Sequence, residues 1–234
     1  MKPMESRLKV LQVACGVILA LFAFGGPAHA ETAAERLAES TTILREIMSA
    51  PDKGIPTDLL RKAHCVMVVP GLKKAGLIVG GKYGRGFLVC RQGETNRWGA
   101  PAALRIEGGS FGFQIGASET DVVMLLMDER SVDGILKSRF TLGGAAEVAA
   151  GPVGRSSAAQ TDATMNAKIL SYSRSRGVFA GVALTGATLR QDLDENNEMY
   201  GREWNTREIV KGGKVAPPRA ASELIDLLTS YSQG

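Results

Sequence analysis

Histidine and cysteine, from which metal centres and most nucleophilic active sites are built, are nearly absent: the 234-residue chain has two histidines and three cysteines. Beyond residue 30 only His64, Cys65 and Cys90 remain. A zinc site needs a fuller ligand set than one histidine and two cysteines supply. Residues 108–112 (GGSFG) match the G-x-S-x-G elbow of a serine hydrolase, in which the histidine follows the serine in chain order. No histidine follows Ser110, so that triad lacks its base. Long apolar runs are equally scarce. The one such run, residues 10–24, is shorter than the roughly 20 residues a bilayer-spanning helix requires.

That run has the setting of a secretory signal. Lys2, Arg7 and Lys9 precede it, Gly25-Gly26-Pro27 breaks it, and Ala28-His29-Ala30 supplies a small-residue cleavage site. The expectation is a signal peptide over residues 1–30, then a single exported domain over residues 31–234, periplasmic or secreted. Residues 31–234 hold 25 basic against 23 acidic residues, a net charge of +2. So balanced a surface gives no footprint for nucleic acid. In an oxidising compartment Cys65 and Cys90 could pair. The spacing leaves both a disulfide and two buried thiols open.

What the chain does have is glycine: 20 of its 28 lie between Pro70 and Asp192, among short apolar runs. The pattern predicts many brief strands, over residues 65–69, 77–81, 86–90, 102–106, 111–115, 121–127, 147–149, 167–172, 178–184 and 187–190. Pro70-Gly71, Gly108-Gly109 and residues 117–120 read as turns between them. A period near 3.6 predicts a helix over residues 31–50, and shorter helices are expected over 57–63 and 131–137. Residues 195–200 and 206–210 read as helical turns, and 217–231 as a closing amphipathic helix. The expected class is α+β: a largely antiparallel, glycine-rich sheet or barrel-like core with helices at both ends.

Three charged patterns look chemical. Residues 76–82 fit G-x-x-x-x-G-K, but Tyr83 stands where a phosphate-binding loop needs its Ser or Thr. Asp192, Asp194, Asn196, Glu198 and Glu203 occupy positions 1, 3, 5, 7 and 12 of a calcium-loop template, with Asn197 in place of its glycine. A solvated acidic loop fits the same residues. The third pattern is a window, residues 59–93, with no Asp or Glu and seven basic residues, Lys73, Lys74, Lys82, Arg85 and Arg91 among them. Such a window attracts anions, each Lys or Arg near an anionic membrane contributing about 1 kcal/mol. Basic residues on strand edges also serve simply to discourage aggregation.

The same stretch resembles the SYLF domain family. The resemblance rests on HCVMVVPGLKKAGLIVGGKYGRGFLVCR (64–91), WGAP (98–101), GGSFGFQIGASETDVVMLLMDE (108–129), LGGAAEVAAGPVGR (142–155), ILSYSRSRGVFAGVALTGATLR (169–190) and NEMYG (197–201). It implies a compact α+β module that binds membranes, preferably those carrying anionic or phosphoinositide lipids; since no catalytic constellation is assembled, a non-catalytic module that needs no cofactor is expected. Anionic phospholipid head groups are then the expected partner, met by Lys73, Lys74, Lys82, Arg85 and Arg91. Apolar contact is expected from Leu37, Leu44, Ile47 and Met48 on the first helix. That helix has a net charge of −2 and no aromatics, unlike most membrane-surface helices. Packing of the helix on the core therefore stays open, and so does a protein-interaction role with a partner or a second copy.

Overall fold

The computed structural model describes residues 30–50, 54–76, 79–111, 116–144, 146–152, 167–175, 178–179 and 184–233. Contacts group the chain into residues 1–32 and a compact unit, Ala33–Gly234. Only residues 30–32 of the first group are described, so the signal-peptide segment lies outside the described residues.

Helix α1 spans Ala33–Ser49 and α2 Thr57–Lys62. Strands follow: β1 Cys65–Gly76, β2 Val79–Gln92, β3 Arg97–Trp98, β4 Ala102–Phe111 and β5 Gly116–Leu126. Then come α3 Glu129–Ile135, β6 Phe140–Thr141, β7 Val148–Ala150, β8 Ile169–Ser175, β9 Val178–Phe179 and β10 Thr188–Gln191. Helices α4 Leu193–Tyr200, α5 Thr206–Lys211 and α6 Ser222–Ser232 close the chain. The fold is α+β. Its ten described strands form a sheet curled into a half-barrel, in the order β6-β10-β4-β2-β1-β5-β8-β7. The pairing is antiparallel throughout except between β7 and β8.

Alternation along the strands divides the core in two. Met67, Leu88, Leu104, Ile106, Met124 and Leu126 pack on one face against Val132 and Ile135 of α3 and Ile209 and Val210 of α5. Val66, Val68, Phe87, Val89, Val123 and Leu125 pack on the other against Leu37, Leu44 and Ile47 of α1, Leu59 and Leu60 of α2, and Leu224 and Leu228 of α6. The terminal helices therefore lie side by side on one face of the sheet. Trp98 Nε1 fastens α6 by donating to Ser232 Oγ at 3.0 Å.

The strands are longer than the glycine pattern predicts. Pro70-Gly71 is a bulge inside β1: its register against β2 shifts between Val68 and Lys73, and Gly71 holds φ +50°. The Gly71 amide donates to Asp121 Oδ1 of β5 at 3.1 Å, which pins the bulge. Residues 82–85, which separate the strands expected over 77–81 and 86–90, lie within β2, because the glycine hydrogens let the neighbouring backbone come close. A Cβ on Gly86 would stand 2.0 Å from the Val68 carbonyl oxygen. Gly108-Gly109 and residues 117–120 are likewise strand. Helix α3 begins two residues before the expected start, because Asp128 caps it by accepting from the Ser131 amide at 2.8 Å.

Candidate functional site

The basic window separates into three environments. At the far ends of β1 and β2, Lys74 stands opposite Lys82 and Lys73 opposite Tyr83. Lys74 and Lys82 share one face of the sheet, while Lys73 and the half-exposed Tyr83 lie on the other. Burial first, and then the charge of Lys74, hold the Lys82 ammonium below the usual lysine range. Like charges directly opposite on neighbouring strands repel; on the side of β5, Lys73 stands opposite Glu119. Beside this end of the hairpin lies an open groove of about 660 Å³, lined by Lys73, Lys74, Ser118, Glu119, Asp121 and Arg174. Arg174 ion-pairs there with Asp121 at 3.4 Å and with Glu46 of α1.

Arg85 belongs to a different structure. Its Nε donates to Asp192 Oδ2 at 2.7 Å and lies 3.1 Å from Glu195 Oε2. Arg36 of α1 pairs with Glu195 Oε1. Arg36, Asp192 and Glu195 are all buried, so this network fastens α1 and α4 to β2 in low dielectric. Burial raises the Asp192 carboxyl, but the hydrogen bond and charge of Arg85 outweigh it and the net shift is downward. Burial dominates at Glu195, and its pKa is raised despite Arg36 and Arg85. Arg91 is also committed internally. Its guanidinium donates to the carbonyls of Leu60, Arg61 and Ala63 at the end of α2 and to that of Asn96, and it stacks on Trp98 at 4.2 Å. A cation at a helix C-terminus completes its unpaired carbonyls. Arg85 and Arg91 are therefore engaged within the fold, whereas Lys73, Lys74 and Lys82 stand at the far ends of β1 and β2.

The apolar members are corrected too. Leu37, Leu44 and Ile47 are core residues with at most 1% of their surface exposed, and Met48 packs half-buried against them. They cannot touch a bilayer while α1 stays packed. The acidic template is not a loop. Asp192 caps α4 by accepting from the Glu195 amide, and the next three candidates lie on the helix itself. Asn196 Oδ1 accepts from the Ala103 amide at 2.7 Å, and Glu198 Oε1 from the Ala33 amide at 3.0 Å. Asp194 and Glu203 are exposed. The helical turn points these oxygens in divergent directions, and the described residues contain no acidic, cysteine or histidine group able to hold a metal. Cys65 and Cys90 are cross-strand partners and are joined as a disulfide.

Sequence reading missed Arg36 and Glu195. The signal was present for one of them: Arg36 stands in the apolar stripe of its helix beside Leu37.

The fold and these surfaces define a sheet-built module whose distinctive chemistry is a set of charged faces around a filled core. A family model described as Ysc84, Las17-binding protein actin regulator, matches residues 107–231, and the chain belongs to this family. The SH3 domain-containing YSC84-like protein 1 of Xenopus laevis is 35% identical over 202 residues, 86% of this chain and 59% of that protein. Its Homo sapiens counterpart is 32% identical over 210 residues, 88% of this chain and 60% of that protein. LAS seventeen-binding protein 3 of Saccharomyces cerevisiae is 34% identical over 182 residues, 76% of this chain and 39% of that protein. The chain thus spans about 60% of the first two relatives and less of the third.

Proposed function

We propose that this chain is a non-catalytic, exported binding module that docks on anionic phospholipid surfaces through the far end of β1 and β2. The observation that carries the reading is the Lys74–Lys82 pair: two ammoniums held opposite each other, the proton affinity of Lys82 lowered first by burial and then by the charge of Lys74. A phosphate diester placed between them relieves that repulsion. Lys73 and the polar wall of the adjoining groove extend the contact. Three lysines at about 1 kcal/mol each provide roughly 3 kcal/mol, a peripheral and salt-sensitive attachment. The test is vesicle flotation of residues 31–234. Recovery with phosphatidylglycerol vesicles that falls as salt rises, with little recovery on phosphatidylcholine, is the expected result. Equal, salt-insensitive recovery on both would remove the electrostatic account.

A protein partner is the second reading. It is favoured by the mixed charge of the groove, where Lys73, Lys74 and Arg174 face Glu119 and Asp121, and by relatives whose names describe binding to another protein. A salt-insensitive dimer in sedimentation, with no flotation on any vesicle, would favour a second copy as the occupant.

A further inference from the structure

The Cys65–Cys90 disulfide borders a cavity at the end of the β1–β2 hairpin away from the lysines. Both cysteines share a core cluster with Val132 of α3 and Val210 of α5, the helices that cover this face of the sheet. A void of about 50 Å³ lies among these four residues and is lined as well by His64, Glu129 and Lys211. Its floor and its rim differ in kind. The cysteines and valines are at most 3% exposed, whereas His64, Glu129 and Lys211 stand at the surface.

Protein interiors leave few voids larger than a water molecule, and about 10–15 Å³ is enough to hold one. This void therefore has room for a sulfur and its methylene. It stays open because the helices above it are braced. Lys211 Nζ and Arg207 Nη1 of α5 donate to Asp133 Oδ1 of α3 at 2.8 and 3.0 Å. The brace fixes the spacing of the two helices, and valine side chains, stiff at χ1, do not swing across the gap. A disulfide sealed in a packed core does not meet thiols while the protein is folded, whereas one that a thiolate can reach exchanges with it. The rim carries opposite charges, Lys211 and Glu129, so size rather than charge selects what enters.

We infer that Cys65–Cys90 is a thiol-exchange site for low-molecular-weight thiols unbranched at the sulfur-bearing carbon, which enter between α3 and α5. The incoming thiol gives its proton to solvent, and the thiolate attacks one Sγ. A new S–S bond forms, the Sγ–Sγ bond breaks, and its electron pair leaves on the other Sγ, which takes a proton from solvent. The product is a mixed disulfide seated in the cavity. A second thiolate displaces the first small thiol as the oxidised dimer, and Cys65 and Cys90 are left as free thiols. Two electrons pass from two small thiols to one protein disulfide. A cysteine on a protein surface is held off by the two helices. Exchange here couples the thiols of the surroundings to the joining of β1 and β2 at this end of the sheet.

The test treats the full chain with 2-mercaptoethanol at about pH 8, where a free thiol is partly ionised. Remaining disulfide is counted by mass after alkylation, across urea concentrations below the unfolding transition. Exchange through the cavity is expected to hardly change with urea. Exchange through global unfolding accelerates exponentially with urea, because the unfolded population does, and that result overturns the proposal. Val132→Ile with Val210→Ile adds one methylene at each wall and is expected to slow exchange at least roughly fivefold, the low end of what overpacking costs. The direction is diagnostic, since a variant that is merely less stable is reduced faster, not slower. A second comparison needs no variant. Cysteine is set against penicillamine, which carries two methyl groups on the sulfur-bearing carbon, with the open disulfide cystamine as reference. The protein is expected to favour cysteine by a larger rate ratio than cystamine does, and an equal ratio removes the cavity from the account.

Discussion

Gly86 is a point of close backbone approach within the sheet. Its α-hydrogen faces the Val68 carbonyl, where a Cβ would collide at 2.0 Å with backbone that has no room to move. Gly86→Ala is therefore expected to destabilise the fold by several kcal/mol, read as a lowered melting temperature. Gly109, whose Cβ would meet nothing within 4 Å, is the control, and Gly109→Ala leaves the melt nearly unchanged. Asp192 makes a second prediction. Its folded pKa is depressed below its ordinary value near 3.8. The stability it contributes is present above that value and is lost as pH falls through the folded value. Glu195 has the opposite sign: its raised pKa gives a contribution present below its ordinary value near 4.5 and lost as pH rises through the folded one. The gap in denaturation midpoint between the parent and Asp192→Asn is thus expected to narrow as pH drops below about 4. A gap that widens in acid contradicts this assignment. Asp192 and its neighbours act within the fold, so millimolar calcium is expected to leave the melting temperature unchanged.

At the scale of elements, α1 is held from three directions. Leu37, Leu44 and Ile47 fill one core, Arg36 is buried on Glu195, and Glu198 accepts from the Ala33 amide. The hydroxyls of Ser40 and Thr41 satisfy themselves on the carbonyls of Arg36 and Leu37, so the buried stripe leaves no hydroxyl unpaired. Leu44→Ala is expected to cost about 2–5 kcal/mol, as truncation of a fully buried leucine does. Adding anionic vesicles should leave hydrogen exchange in α1 unchanged, since lipid contact is assigned elsewhere. Faster α1 exchange with vesicles would restore Leu37, Leu44 and Ile47 to the lipid-binding set. Helix α1 was legible in the sequence because its stripe recurs at the helical period, and so were the apolar centres of the strands. The strand lengths were not, because Gly84 and Gly108 read locally as turns, whereas inside a curled sheet a glycine is a point of close approach. The candidate site was legible as a run of positive charge. Which cations stay outside was not, because the partners of Arg85 lie more than a hundred residues further along the chain.

Across the whole molecule, two helix-covered faces and one cross-strand disulfide make a rigid platform. Reduction, or Cys65→Ser with Cys90→Ser, reopens a loop of 25 residues. The chain-entropy relation puts that loss at about 3.5 kcal/mol, measurable by denaturant unfolding with and without reductant. On this platform Lys74 and Lys82 sit opposite each other at the far end of β1 and β2. The most direct test is flotation of residues 31–234 on phosphatidylglycerol vesicles, comparing the parent with Lys74→Gln plus Lys82→Gln, both confirmed folded by their melts. The account predicts that the double variant loses most of its vesicle-bound fraction. Undiminished binding by the folded variant would contradict it.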